Sequence, residues 1–232
     1  MELDEVRSAL AVAAHPDDIE SWCAGTLAAL KARGARVAYL LLTSGDKGSA
    51  DPLAVPAQIA ATREAEQLAA AAVLGVRDVV FLRRGDGTLA DAPALRAAIA
   101  TEIRRVRPDL LFAFDPWEPY VFHCDHRESA LAALAAADPL ARRPGPDGAA
   151  PHAVRAAWLF HTGRPDRFVD ITATLDARVA ARAAHASQTR DPAALARSWR
   201  ERAAAAGAPA GLGLAEAFHE VVFPPPGAAW DE

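Results

Sequence analysis

Four short apolar runs, each followed by a polar turn and then helical spacing, constrain this chain more than any other feature. Ala9–Ala14, Arg36–Thr43, Val79–Leu82 and Leu110–Phe114 read as buried strands. Ile19–Arg33, Pro56–Leu74 and Ala92–Val106 read as the helices between them; Gly34 and Gly75 close the first two, and the third stops before Pro108. Strands alternating with helices through short loops predict an α/β fold, a Rossmann-like three-layer sandwich with a mostly parallel central sheet. Further on, the pattern predicts helices over Arg127–Ala137, Ala173–Ser187 and Pro192–Ala206, and strands at Ala156–His161 and Glu220–Phe223. Residues 138–153, rich in Pro, Gly and Asp, read as an exposed loop, and the Pro224-Pro225-Pro226 tail as surface. With neither an internal repeat nor a second core, residues 1–232 are expected to form one domain.

Composition narrows the function classes. A net charge of -5 argues against a nucleic-acid binder, which would carry a basic excess. Nowhere do about 18 apolar residues run together, so no membrane span is expected. The acidic start, Met1-Glu2-Leu3-Asp4-Glu5, differs from the basic start of a signal peptide, and the expected location is the cytoplasm. Cys23 and Cys124 stand alone and make neither a disulfide framework nor a cysteine-rich zinc site. The expected partner is a small molecule, and a homo-oligomer is compatible with the sequence.

In an open α/β sheet, ligands bind beyond the carboxyl ends of the strands. His15-Pro16-Asp17-Asp18 follows the first strand, Thr43, Ser44 and Asp46 the second, Arg84 and Asp86 the third, and Asp115, then His123, Asp125 and His126, the fourth. Pro16 keeps His15 out of the helix, so His15 and Asp18 can face one spot above the strand end. A second imidazole from His123 or His126 would complete a two-His, one-carboxylate set, suited to catalytic zinc and equally to non-haem iron(II). Asp17 is then a spare carboxylate where a general base would sit. The plainer reading makes Asp17 or Asp18 a helix cap, but two clusters converging on one sheet edge favour a site over a cap.

Ala14-His15-Pro16-Asp17-Asp18-Ile19-Glu20, with Cys23-Ala24-Gly25-Thr26 after it, resembles the opening signature of the LmbE-like (PIG-L) de-N-acetylase family. Leu42-Thr43-Ser44-Gly45-Asp46 is similar to its second-strand loop, with aspartate where the family more often has glutamate. Arg63-Glu64-Ala65-Glu66, Arg107-Pro108-Asp109, His123-Cys124-Asp125-His126, His185-Ala186-Ser187-Gln188 and Glu216-Ala217-Phe218 follow in the family's order. The resemblance implies the LmbE-like fold and a zinc-dependent amidase that removes an N-acyl group, usually acetyl, from an amino sugar.

Carried over residue by residue, the resemblance implies that His15, Asp18 and His126 bind zinc, with iron(II) the alternative metal. It implies that Asp17 is the base acting on the attacking water. His123 would stabilise the oxyanion or protonate the leaving amine, and Asp125 would orient a histidine. Arg63 and Asp86 would bind substrate. Alternatives within this chemistry are an amide of a thiol conjugate or a natural-product N-acyl glycoside. From another class, a non-haem iron oxygenase shares the ligand type, although oxygen chemistry needs no base such as Asp17. Trp117, Tyr120 and Phe122 could stack on a sugar or pack their loop, and His185 could serve the site or a helix end.

Overall fold

The computed structural model describes residues 1–146 and 148–225; Asp147 of the predicted loop and Pro226 of the predicted surface tail lie outside them. The strands are β1 (Ser8–Ala13), β2 (Arg36–Thr43), β3 (Asp78–Arg84), β4 (Leu110–Phe114), β5 (Ala156–Phe160), β6 (Arg167–Asp170) and β7 (Ala215–Val222). They form one sheet in the order β3-β2-β1-β4-β5-β7-β6. The β1–β2, β2–β3, β1–β4 and β4–β5 pairs are parallel, and β7 runs antiparallel to both β5 and β6.

Side-chain alternation along the strands builds two cores. Ala9, Ala11 and Ala13 of β1, with Tyr39, Phe112, Trp158 and Phe218, face one layer of helices: α1 (Asp18–Trp22), α2 (Ala24–Ala32), α3 (Pro56–Val73), α6 (Leu175–Ala183) and α7 (Pro192–Gly207). Leu10 and Val12 face the other, where Leu95, Ile99 and Ile103 of α4 (Pro93–Val106) and Ala132 and Ala133 of α5 (Cys124–Ala135) pack. Both faces are therefore covered, as the near-continuous apolar strands predict. Gly34 and Gly75 take the left-handed conformation after α2 and α3.

Several expectations are corrected. The helix predicted over Ile19–Arg33 breaks at Cys23, because the N–H groups of Gly25 and Thr26 donate to the Glu216 carboxylate at 2.9 and 2.7 Å. An acceptor from β7 thus starts a second helix. The predicted Arg127–Ala137 helix begins at Cys124, which puts His126 on its first turn and His123 at its N-cap. The helix predicted to Ser187 ends at Ala183, and Ala186–Gln188 forms a separate 3-10 turn. The final strand begins at Ala215, five residues before the predicted start, and β6 was absent from the prediction.

β1 lies between β2 and β4, so the chain winds outward to one side of it and then to the other. That switch point opens a crevice at the carboxyl ends of β1 and β4. His15 leaves one strand there and the 115–123 loop leaves the other.

Candidate metal centre and active site

The His15-to-Asp18 turn is locked by its own backbone. His15 N–H donates to Asp18 Oδ2 at 2.8 Å, and Asp18 N–H to the His15 carbonyl at 3.3 Å. Between them Asp17 has φ of +92° and makes no side-chain cap bond, so the capping role is not the one it takes. A non-glycine residue held there costs on the order of 1–3 kcal/mol, a strain that clusters at functional sites.

The Asp18 carboxylate bridges two imidazoles, with Oδ2 3.5 Å from His15 Nδ1 and Oδ1 3.4 Å from His126 Nε2. The His126 ring is stacked between Phe114 at 4.0 Å and His123 at 4.6 Å. One ring nitrogen from each of His15, His123 and His126 lies within 4.8 Å of the others, so His123 stands with the two imidazoles that Asp18 bridges. On its far side, His15 Nε2 stands 3.2 Å from both Asp125 Oδ2 and Asp86 Oδ1. Asp125 is fully buried and also accepts the Gly87 and Leu89 N–H groups at 2.6 and 3.0 Å.

Charge explains why these groups gather. Burial alone would lower the His15 pKa, but hydrogen bonds and charge from Asp18 and Asp86 outweigh it and raise it to about 10. Burial opposes ionisation of Asp18, yet the His126 and His15 contacts hold its carboxyl far below the ordinary range. Asp86 is brought down to about 2, against its burial, by His15 and the Lys47 N–H. An anionic pocket that draws a proton onto histidine at this strength suits a bound cation. Imidazole nitrogens beside a carboxylate are also a donor set for zinc or iron(II), so these residues fit a divalent metal. His123 lies on the other side of this balance: burial, then the nearby His15 and His126, lower its pKa.

Asp17 stands apart from the imidazoles. Its Oδ1 lies 3.3 Å from Arg63 Nη2, its Oδ2 3.2 Å from Arg182 Nη2, and its N–H donates to Gln67 Oε1 at 3.0 Å. Burial and the Asp18 charge raise its pKa, and the two guanidiniums act in the opposite direction.

Among the residues expected to contact substrate, Arg63 is buried and donates to the Pro16 and Gly45 carbonyls at 2.5 and 3.0 Å. Among the described residues its Nε has no hydrogen-bond partner. Asp86 is also buried, with its oxygens turned to His15 and to the Lys47 N–H at 2.8 Å. Asp86 is thus held by the protein, whereas Arg63, though buried, also lines the cleft beside it. His185 is buried, its Nε2 3.2 Å from Glu20 Oε2, and Glu20 Oε1 accepts from Gln67 Nε2 at 2.9 Å. That chain of contacts links His185 to the Asp17 backbone.

Three members of this support escaped the sequence reading. Gln67 lies four residues after Arg63 on α3, a same-face spacing that was a usable signal. Glu20 closes the recognised His15–Glu20 signature without a role having been given to it, and Arg182 had no local signal of function. Glu66, within the recognised Arg63–Glu66 segment, instead accepts the Ser187 N–H and hydroxyl, both at 2.7 Å.

Two openings flank the centre. A cavity of about 310 Å³ is lined by Phe114, Trp117, Tyr120, His126 and His161. A cleft of about 800 Å³ lies beyond Arg63 and includes Lys47, Thr62, Gln188 and Arg190. Tyr120 and Phe122 are 87% and 92% exposed, so these two rings do not pack the loop onto the domain.

The PIG-L family model, described as GlcNAc-PI de-N-acetylase, matches residues 10–137. Diacetylchitobiose deacetylase of Thermococcus kodakarensis is 33% identical over 191 residues, covering 80% of this chain and 71% of that protein. The solved structure of N,N'-diacetylchitobiose deacetylase from Pyrococcus horikoshii, in complex with its inhibitor MPG, superposes with a TM-score of 0.87 at 28% identity. It covers 95% of this chain and 85% of that one. GalB, the 4-carboxy-2-hydroxymuconate hydratase from Pseudomonas putida KT2440, superposes with a TM-score of 0.81 at 25% identity, covering 97% and 100%.

Proposed function

Because this chain belongs to the PIG-L family of GlcNAc-PI de-N-acetylases, we propose that it hydrolyses the N-acyl amide, acetyl in the first instance, of an amino sugar or N-acetylglucosamine-containing conjugate. One observation carries the reading. At the switch point, the Asp18 carboxylate bridges His15 and His126, while the adjacent residue's carboxylate, Asp17, is anchored separately by Arg63 and Arg182. In this reading His15, Asp18 and His126 hold a divalent metal, zinc or iron(II). Such a metal supplies Lewis acidity toward the amide carbonyl and lowers the pKa of its water to about 7.

The chain's own residues do the rest. Asp17 accepts the proton of the attacking water; Arg63 and Arg182 fix its two oxygens, and Gln67 fixes its backbone. As water oxygen joins the carbonyl carbon, negative charge grows on the former carbonyl oxygen, and His123 at the N-cap of α5 lies beside the centre to meet it. The C–N bond then breaks, and His123 gives its proton to the departing amine. Asp125, between His15 and the Gly87–Leu89 turn, orients the ring. Arg63 and Asp86 act here as anchors of Asp17 and His15, and the 310 Å³ cavity beside His126 takes the sugar against Trp117 and Tyr120.

The iron-oxygenase alternative is not favoured, because deacetylation and hydration, the reactions named for the similar proteins, both consume water. The test is release of free amine by the zinc-loaded and the iron-loaded protein. Its panel is N-acetylglucosamine, its α-glycosides, diacetylchitobiose, a thiol-conjugate amide and an N-acyl glycoside. Turnover on any member is the expected result; silence of both metal forms across the panel overturns the proposal.

A further inference from the structure

The geometry points to a second metal site, one that inhibits: His123, Cys124 and Asp125 form a binding site for a soft divalent cation such as zinc. A ring nitrogen of His123, the Cys124 sulfur and an Asp125 carboxylate oxygen all lie within 4.8 Å of one another. Ligand atoms sharing a tetrahedral zinc stand about 3.3–3.8 Å apart at the usual bond lengths, so a small closure completes the set. The sulfur is already 3.5 Å from Asp125 Oδ1 and 3.9 Å from the Gly87 carbonyl oxygen. All three residues sit at the start of α5, which fixes their spacing, and Cys124 and His123 are exposed to an arriving ion.

The thiol gives this site its selectivity. Thiolate favours zinc and similar soft ions over magnesium or calcium. The other cysteine, Cys23, is buried in the core at the α1–α2 break. The His15–Asp18–His126 set contains no sulfur, so the two sites differ in ligand type. Binding displaces the thiol proton to solvent and forms the sulfur–metal bond. It also occupies a nitrogen of His123 and an oxygen of Asp125. The inhibitory consequence rests on the proposed function, since it removes His123 from the leaving amine; the binding itself does not. The first equivalent of zinc therefore activates and further zinc inhibits.

The experiment titrates metal-free protein with cobalt(II) under reducing conditions and follows the near-ultraviolet sulfur-to-cobalt charge-transfer band. The band is expected to rise only after the first equivalent, to persist in Cys23→Ser and to vanish in Cys124→Ser. In parallel, excess zinc inhibits amine release. Loss of an outer partner alone costs about 10–100-fold in metal affinity, so Cys124→Ser should need at least about ten-fold more zinc for the same inhibition. In the unmodified protein, cadmium(II) should slow alkylation of the exposed thiol, a measurement that does not depend on how the variant folds. No band beyond the first equivalent, a band retained in Cys124→Ser, or unchanged alkylation under cadmium each overturns the site. Inhibition equal in both proteins overturns its link to activity. A band without amine release from any substrate would leave the site standing and count against the proposed function instead.

Discussion

Glu216 lies far from the strand-end clusters in sequence, and the structure gives it a cost that can be worked out. Its carboxylate is buried, accepts the Gly25 and Thr26 N–H groups at 2.9 and 2.7 Å, and stands 3.2 Å from Arg178 Nη1. Glu216→Ala removes all three contacts at once. Two N–H groups at the start of α2 lose their acceptor, while Arg178 keeps the Glu20 carbonyl and the Trp199 ring. Breaking a buried pair of this kind costs about 3–5 kcal/mol. A chain of this length loses about 2–4 °C of Tm per kcal/mol, so the melting temperature should fall by roughly 6–20 °C. Glu216→Gln keeps one acceptor oxygen and should lose about half as much. The assay is thermal unfolding followed by circular dichroism, with kcat measured well below the transition. If both variants melt within about 2 °C of the parent, Glu216 does not hold the break between α1 and α2. A large fall in kcat without a fall in Tm would instead place this carboxylate in the chemistry.

Three other outcomes follow from the same contacts. Asp17→Asn and His123→Ala should each keep one metal per chain by elemental analysis yet lose about 100- to 1000-fold in kcat; loss of metal in either would move that residue into the ligand set. Gly48→Ala would place a Cβ 2.2 Å from Arg63 Nη1, so either the guanidinium or the 45–48 loop must shift, and a shift of the guanidinium disturbs its Nη2 contact with Asp17. A displacement near 1 Å in such an anchor costs about 100-fold, and kcat unchanged with the guanidinium displaced would show that Arg63 does not position the base. Burial opposes ionisation of Glu220, but the N-terminal ammonium, Trp158 and Arg167 hold its pKa below the usual value. Its stabilisation is present above the unfolded value of about 4.3 and is lost as pH falls through the lower folded value. Glu220→Gln should therefore flatten the acid side of the Tm–pH curve, and parallel curves for the two proteins would exclude that contribution.

The strands at the centre of the sheet were legible because burial on both faces leaves only apolar residues. β1 and β4 are buried along their whole length, and the predicted runs nearly coincide with them. β6 is four residues, Arg167 to Asp170, with a polar residue at each end, and a short edge strand leaves no such run. β7 was seen only at its end because Glu216, His219 and Glu220 interrupt its apolar pattern. The strand-end clusters were legible for a related reason: the fold type alone says where polar residues after strands must meet. The support of Asp17 was not. Arg182 reaches it through packing of α6 against α3, and Glu20 reaches its backbone through Gln67, pairings set by helix placement rather than local spacing. The sequence singled out Arg63 and Asp86 but not their buried partners, because which way a buried polar side chain faces depends on residues elsewhere in the chain.

Asp17 and Asp18 are adjacent, of one residue type, and their pKa values move in opposite directions. Their surroundings account for the split. Asp18 faces two imidazoles and is driven toward the charged form. Asp17, turned away by its left-handed backbone, meets guanidiniums that only partly offset its burial and the repulsion from Asp18. Neighbouring titratable groups pushed apart in this way mark a division of labour between a group that stays ionised and one able to exchange a proton. Had both aspartates bound the same ion, neither would be free to accept a proton. Without Arg63 and Arg182, the burial and the Asp18 charge that raise the Asp17 pKa would lose their largest opposition. The positive φ at Asp17 turns the two adjacent carboxylates toward different partners, and on the proposed function that separation is what lets one short turn supply both a metal ligand and a base.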